Sequence, residues 1–182
     1  MAPHIYRGRK LVEYRVAGIE DLPRLSSRIL NSLDRSSNFY QENVTKFGIP
    51  EDYVRKAFSE EALKEAASRG SKFYLALEGG EIVGFCQMVP QGSEKAELDR
   101  IVMFPGHTGR GHGSQLLAFA VEDQAREGRK ELIVYAGKDE RRARAFYEKN
   151  GFELVSELSV DAPWGKRVDL AAYRLEIGRD VG

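Results

Sequence analysis

Cysteine is almost missing from this chain. Cys86 stands alone among 182 residues, which excludes an internal disulfide framework and a zinc site built from several thiolates. A reducing cytoplasm is the expected setting. Histidine is scarce too, at three residues. His107 and His112 lie in a glycine-rich stretch with no third ligand nearby, so they read as loop surface and no metal is expected. The longest stretch without Asp, Glu, Lys or Arg is twelve residues, Ile82 to Ser93. A membrane-spanning helix needs about 20 apolar residues, so a membrane is not an expected partner. Met1 to Lys10 holds Arg7, Arg9 and Lys10 with no apolar run behind them, and does not read as a secretory leader. Charge of one sign is also lacking: Lys plus Arg is 28 and Asp plus Glu is 28, so the net charge is zero and nothing points to nucleic acid.

What is present is a globular composition, 42% hydrophobic and 31% charged. The length suits one domain over 1–182, with 1–13 as a loose N-terminal segment. Tyr14 to Ala17 reads as a short strand. Asp21 is placed to cap a helix from Leu22, with Pro23 in its first turn. Ser36 to Phe47 is polar with isolated aromatics and reads as a loop. Pro50 to Arg69 reads as helix, with Ser59 as a point where a second helix can start. Phe73 to Leu77 and Ile82 to Val89 flank Gly79-Gly80, a two-residue hairpin signal. Ala96 to Phe104 is a further strand. A glycine-rich loop then opens a helix over Ser114 to Arg126, which Gly128 ends. Leu132 to Ala136, a helix capped by Asp139 and running through Lys149, and strands over Phe152 to Leu158 and Val168 to Ile177 complete the chain. The class is α/β, with a mixed sheet of about six to seven strands and helices on both faces.

The most informative segment is Pro105-Gly106-His107-Thr108-Gly109-Arg110-Gly111-His112-Gly113-Ser114. It joins an apolar strand to an amphipathic helix. Glycines let successive backbone N–H groups approach a bulky anion, and the helix N-terminus adds unpaired donors and partial positive charge. Arg110 offers a charge-assisted contact. A P-loop is excluded, because His112-Gly113 stands where G-x-x-x-x-G needs Lys. A dinucleotide fingerprint is only partly met, because after Gly109 and Gly111 the third glycine is replaced by Ser114.

Thr108-Gly109-Arg110-Gly111-His112-Gly113 resembles motif A of the GNAT N-acetyltransferases, Q/R-x-x-G-x-G/A. Ile101-Val102-Met103-Phe104-Pro105 is similar to the family's strand ending in V-x-P. Glu140 to Phe152 is similar to its N-x-x-A-x-x-F-Y-x-K-x-G-F. The specific matches span about residues 96–152, and the looser pattern of elements about 14–177. Thr108 departs from the usual Arg or Gln, and Glu140 from the usual Asn. The resemblance implies a GNAT-like fold and acetyl-CoA as co-substrate. Its diphosphate would rest on the amides of Thr108, Gly109, Arg110, Gly111, His112, Gly113 and Ser114. Its pantetheine arm would lie along Ile101, Val102 and Met103, where the strand splays from its neighbour and its backbone is free to pair like an added strand. Glu140 occupies the position whose Asn amide serves that arm, and a carboxylate cannot donate that hydrogen bond unless protonated.

The same resemblance implies direct acetyl transfer to an amine. Tyr147 matches the tyrosine that protonates the departing thiolate. The acceptor must lose a proton, since an alkylammonium has no free lone pair. Glu97 and Asp99 are candidate bases on the strand before the loop, at i, i+2 and so on one sheet face. Glu97 lies eleven residues before Thr108, an offset at which some members carry a catalytic glutamate; Glu140 is a third candidate. Arg141, Arg142 and Arg144 belong to a solvated helix face or meet the carrier's 3′-phosphate.

Acceptor choice falls to Ser36 to Phe47 and the loop around Trp164, with Phe39, Tyr40, Glu42, Phe47 and Glu51 as a cation-friendly wall. A faint similarity of Tyr40 to Phe58 and Glu97 to Ile101 to bacterial polyamine acetyltransferases adds polyamines to small amines and protein amines as acceptors. The partner is thus a small-molecule or peptide amine, and a homodimer is expected where sheet edges pair. Two alternatives stay open: a non-catalytic acyl-CoA sensor and a dinucleotide-binding oxidoreductase. Cys86, mid-strand with no His partner, reads as a buried small apolar residue.

Overall fold

The computed structural model describes residues 10–178; His4 and most of the segment expected to be loose lie outside them. β1 (Val12–Val16) runs into α1 (Leu22–Asn31), which has Pro23 in its first turn. Asp21 stands at the N-cap position of α1, but its side chain makes no bond to the helix end. Its carboxylate accepts two hydrogen bonds from Arg15, at 2.7 and 2.8 Å, and one from the Gly18 N–H at 2.8 Å. The Arg15 bonds hold its pKa down to about 2.

The expected loop at 36–47 contains a short helix, α2 (Asn38–Asn43), followed by a 3-10 turn over Thr45–Phe47. Ser37 supplies the cap, accepting from the Tyr40 N–H at 3.0 Å. Tyr40 and Val44 then bury beside Leu33 and Val54. The next helical stretch breaks where Ser59 permits it, into α3 (Glu51–Ala57) and α4 (Glu60–Ser68), with the Ser59 hydroxyl accepting from the Ala62 N–H.

β2 (Lys72–Glu78) and β3 (Glu81–Gln91) form the expected hairpin. Both turn glycines have positive φ, the requirement of a tight turn that matches strand twist. β4 (Lys95–Met103), α5 (His112–Arg126), β5 (Glu131–Gly137), α6 (Arg141–Lys149), β6 (Glu153–Asp161) and β7 (Arg167–Glu176) follow. The seven strands lie in the order β1-β2-β3-β4-β5-β7-β6. Of the six neighbouring pairs only β4–β5 is parallel.

The sheet carries a core on each face. On one, Leu116, Leu117 and Ala120 of α5 pack over Tyr74, Cys86, Leu98, Val134 and Tyr173. On the other, Leu22, Leu25 and Ile29 of α1 and Leu63 of α4 cover Phe73, Leu75 and Phe85. Each such fully buried side chain contributes about 1.5–3 kcal/mol. Cys86 is buried and its thiol pKa is pushed up by desolvation, in keeping with its core reading. Polar pins also fix α5 to β2. The Tyr74 hydroxyl donates to Asp123 at 2.6 Å and accepts from Gln124 at 2.8 Å, and Lys72 sits 2.6 Å from both Asp123 and Glu127. With its far half tied down, α5 presents its first turn at a fixed place. Among the described residues, no helix is long and apolar enough to cross a membrane.

Candidate active site

The site begins where two strands part. β4 pairs with β5 only through Lys95, Ala96 and Glu97, although β4 continues to Met103 and β5 to Gly137. Beyond that point β4 bonds to β3 alone and β5 to β7 alone. The Phe104 N–H bonds to Val83 of β3 at 2.9 Å. Strand alternation then turns the N–H groups of Met103 and Ile101 toward the gap. Their side chains pack on the α5 core, and Val102 packs on the α1 core.

A β-bulge shapes this strand. Leu98 stands opposite Met88 and Arg100 opposite Gln87, which leaves Asp99 as an extra residue. Before it, Ala96 and Leu98 face the α5 core; after it, Ile101 and Met103 do. Glu97 and Asp99 therefore share the face turned away from the α5 core, as their spacing predicts, and the bulge adds Arg100 to that face. The Asp99 carboxylate lies 3.3 Å from Arg100, whose guanidinium sits 4.1 Å from the Phe58 ring centre. Glu97 accepts from Gln91 at 2.8 Å, and burial together with the Asp99 charge raises its pKa. Neither carboxylate lines the cleft described next.

The gap opens into a cleft of about 720 Å³. Ile101, Val102 and Met103 form one side. Thr108, Gly109, Gly111, Gly113 and Ser114 form its floor, with Glu140 from the position before α6 and Tyr147 from α6. Gly111 is the residue before α5, at φ 79° and ψ 1°, with no side chain bonding to the helix end. Among the described residues, no acceptor in the chain takes the N–H groups of Thr108 through Ser114; the first α5 amide to find one is Gln115, on Gly111 at 3.2 Å. That is a run of seven unpartnered donors at a helix mouth. Gly113 lies within the helix rather than the loop, and a Cβ there would meet Phe146 and Met103 at ordinary contact distance.

Arg110 and His112 are not among the residues that line the cleft. The ring of His112 sits 3.2 Å from the Tyr14 hydroxyl, and His107 lies 3.2 Å from Glu78. No metal-binding group of side chains occurs among the described residues.

Helix α6 starts at Arg141, and its cap position is Glu140 rather than Asp139. Asp139 points elsewhere, 3.8 Å from Lys46. The Glu140 carboxylate accepts from the Gly137 N–H at 2.7 Å. Burial raises the Glu140 pKa, Asp139 and Glu42 add to this, and the Gly137 hydrogen bond and the Lys46 charge oppose it. At the other end of α6 the chain closes in a Schellman motif. The Phe152 N–H bonds to Tyr147 and the Gly151 N–H to Glu148, with Gly151 at φ 92°. The Tyr147 ring is wedged between Phe146, Phe152 and Tyr173, at 5.6, 5.7 and 6.2 Å. Tyr147 is thus both a packing residue and a cleft residue. Burial, reinforced by the nearby Glu140 charge, pushes its phenol pKa well up, which keeps the proton on the hydroxyl.

The remaining wall comes from the 38–47 segment, through Glu42 and Lys46. Trp164 stands behind this wall, donating to the Phe47 carbonyl at 3.0 Å and stacking edgewise on Tyr53 at 5.3 Å. Two expected wall residues are placed differently: Tyr40 is core, and Glu51 pairs with Arg35 and Arg55. The Phe39 side chain lies outside the described residues. Arg141, Arg142 and Lys149 bring positive charge to the cleft, and Lys46 and Lys149 were not anticipated from the sequence. The pattern of a polar segment far along the chain gave no signal for Lys46.

Residues 69–154 match the acetyltransferase (GNAT) domain model. The chain is 26% identical over 144 residues to the spermidine N(1)-acetyltransferase of Thermoplasma acidophilum, covering 79% of this chain and 89% of that protein. It is 34% identical over 93 residues to a mycothiol acetyltransferase of Nocardiopsis dassonvillei, covering 51% of this chain but only 27% of that protein. The chain thus spans about a quarter of the mycothiol enzymes it matches. Among solved structures, PaiA N-acetyltransferase from Thermoplasma acidophilum, in complex with coenzyme A, superposes with a TM-score of 0.60 at 24% identity, covering 89% of this chain and 98% of that one. In sheet order, in the parted strand pair and in the matched motifs, the chain is similar to the GNAT acetyltransferases.

Proposed function

We propose that this protein transfers the acetyl group of acetyl-CoA to an amine. The observation that carries the reading is the row of unpartnered amides from Thr108 to Ser114, set beside a strand edge that its neighbour has released. Those donors fit a diphosphate, and the cationic Arg141, Arg142 and Lys149 at the same cleft fit further phosphate charge. The released N–H groups of Ile101 and Met103 fit the amide-rich pantetheine arm and the thioester oxygen. When bound, acetyl-CoA supplies an activated acyl group on a sulfur leaving group. The Tyr147 hydroxyl holds a proton that it can give to that sulfur. Glu42 and Glu140 bring two carboxylates to the cleft, which suits a cationic amine as acceptor. The spermidine acetyltransferase among the relatives is in keeping with that class.

Calorimetry with acetyl-CoA, followed by thiol release across spermidine, small amines and peptide N-termini, tests the reading. Micromolar binding and thiol release that requires an amine are expected. Absence of binding overturns it, and binding without release on any amine replaces it with an acyl-CoA sensor.

A further inference from the structure

We infer that Glu140 is the group that takes the proton from the acceptor ammonium, the role that position in the sequence suggested first for Glu97. The inference rests on the transferase reading above. Its basis is the place where the Glu140 carboxylate is held. The Lys138 N–H bonds to Asp169 of β7 at 2.9 Å, so the preceding N–H, that of Gly137, points the opposite way, into the gap between β5 and β4. Glu140 occupies that N–H at 2.7 Å. Its carboxylate therefore sits on the released edge of β5, filling a position that β4 vacated. Counting on from the last parallel pair, Glu97 with Ile133, four residues bring Gly137 opposite Ile101, or opposite Val102 once the bulged Asp99 is allowed for. Glu140 is thus fixed across the cleft from the strand amides that fit the thioester, while Glu97 lies back where the strands still pair.

The surroundings suit a base. One Glu140 oxygen is committed to Gly137, which fixes the side chain and leaves the other able to receive a proton. The charges acting on it are Glu42 and Lys46 from the 38–47 segment and Asp139 from the turn before α6, and Tyr147 of α6 lies within its field. Gly137 is itself constrained, since a Cβ there would come within 2.8 Å of the Glu140 carboxylate and 3.2 Å of Phe47.

The proton balance is complete. Glu140 removes one proton from R–NH3+, freeing the nitrogen lone pair. The N–C bond forms to the acetyl carbon and the C–S bond breaks. Tyr147 gives its hydroxyl proton to the sulfur and is restored by the second proton leaving the nitrogen. An amide, a CoA thiol and one proton on Glu140 result, and that last proton passes to solvent.

Glu140→Gln is the discriminating variant, because an amide oxygen still accepts from Gly137 while the basicity is gone. With the amine that the wild-type protein uses best, kcat/KM should fall about 100-fold, within the range of a lost general base. CoA affinity should stay within about threefold, and the acid-side limb of the kcat/KM profile should vanish. The sign follows from the role: a base works ionised, so the wild-type rate falls as pH drops through its pKa. An unchanged rate and limb in Glu140→Gln overturns the inference. So does a loss of CoA affinity and melting temperature in step with activity, which marks a purely structural clamp. Wild-type protein that binds CoA and releases no thiol with any amine sinks the transferase reading and this inference together. Wild-type turnover with an unaltered Glu140→Gln sinks this inference alone.

Discussion

The two helix mouths that meet at the cleft are built by opposite means. At α5 the donors are backbone, the N–H groups are open, and the glycine is needed for conformation. Gly111 has positive φ, and a Cβ there would meet nothing within 4 Å. At α6 the groups are side chains. Glu140 is bonded to Gly137, Asp139 faces Lys46, and the glycine is needed for room rather than for its torsion angles. An open row of amides recognises a group that is always present, such as a diphosphate. A crowded set of charged side chains recognises whatever its charges and shape match. On the proposed function, the open amides of α5 take the carrier, while α6 and the 38–47 segment supply the proton donor Tyr147 and the surroundings of the acceptor.

Tyr147→Phe should have the largest effect on the reaction. The ring contacts to Phe146, Phe152 and Tyr173 remain, so folding is kept, while the hydroxyl proton proposed for the sulfur is lost. Stopped-time thiol release should show kcat down about 100-fold with CoA affinity unchanged. A wild-type kcat would return Tyr147 to a packing role and leave α6 with acceptor duties alone.

Gly111→Val comes next and strikes the other mouth. A β-branched residue at positive φ costs about 1–3 kcal/mol, and the loop relieves it by turning its amides away. CoA should bind about 30-fold more weakly, which corresponds to about 2 kcal/mol. Gly128→Val is the matched control, at φ 91° with open space but at the opposite end of α5. Both variants should melt lower, and only Gly111→Val should lose CoA. Equal loss of CoA affinity in both would erase the distinction between the two ends.

Sequence reading served the two mouths unequally, for the same physical reason. The α5 mouth depends on local chemistry: a strand, a glycine run and an amphipathic helix in consecutive order. The hairpin glycines, the Ser59 break and the Gly151-Phe152 helix ending are equally local, and each appears where its residues indicate. The acceptor side depends on contacts between segments about a hundred residues apart, such as Trp164 with Phe47, which no periodicity records. Ser36 to Phe47 reads as loop because two short turns cannot display a repeating stripe. The bulge at Asp99 is silent because an extra polar residue among polar neighbours leaves the alternation looking intact, and it is what turns Ile101 and Met103 back to the α5 core. Asp21 and Asp139 are good capping residues by type, yet Arg15 and Lys46 approach them instead.

Titration calorimetry of the wild-type protein with coenzyme A and, separately, with pantetheine tests the assignment of the α5 amides most directly. Pantetheine keeps the arm that would lie along β4 and lacks the diphosphate. Coenzyme A should bind at least about 100-fold more tightly. Equal affinity for the two, or no binding of coenzyme A, would contradict it.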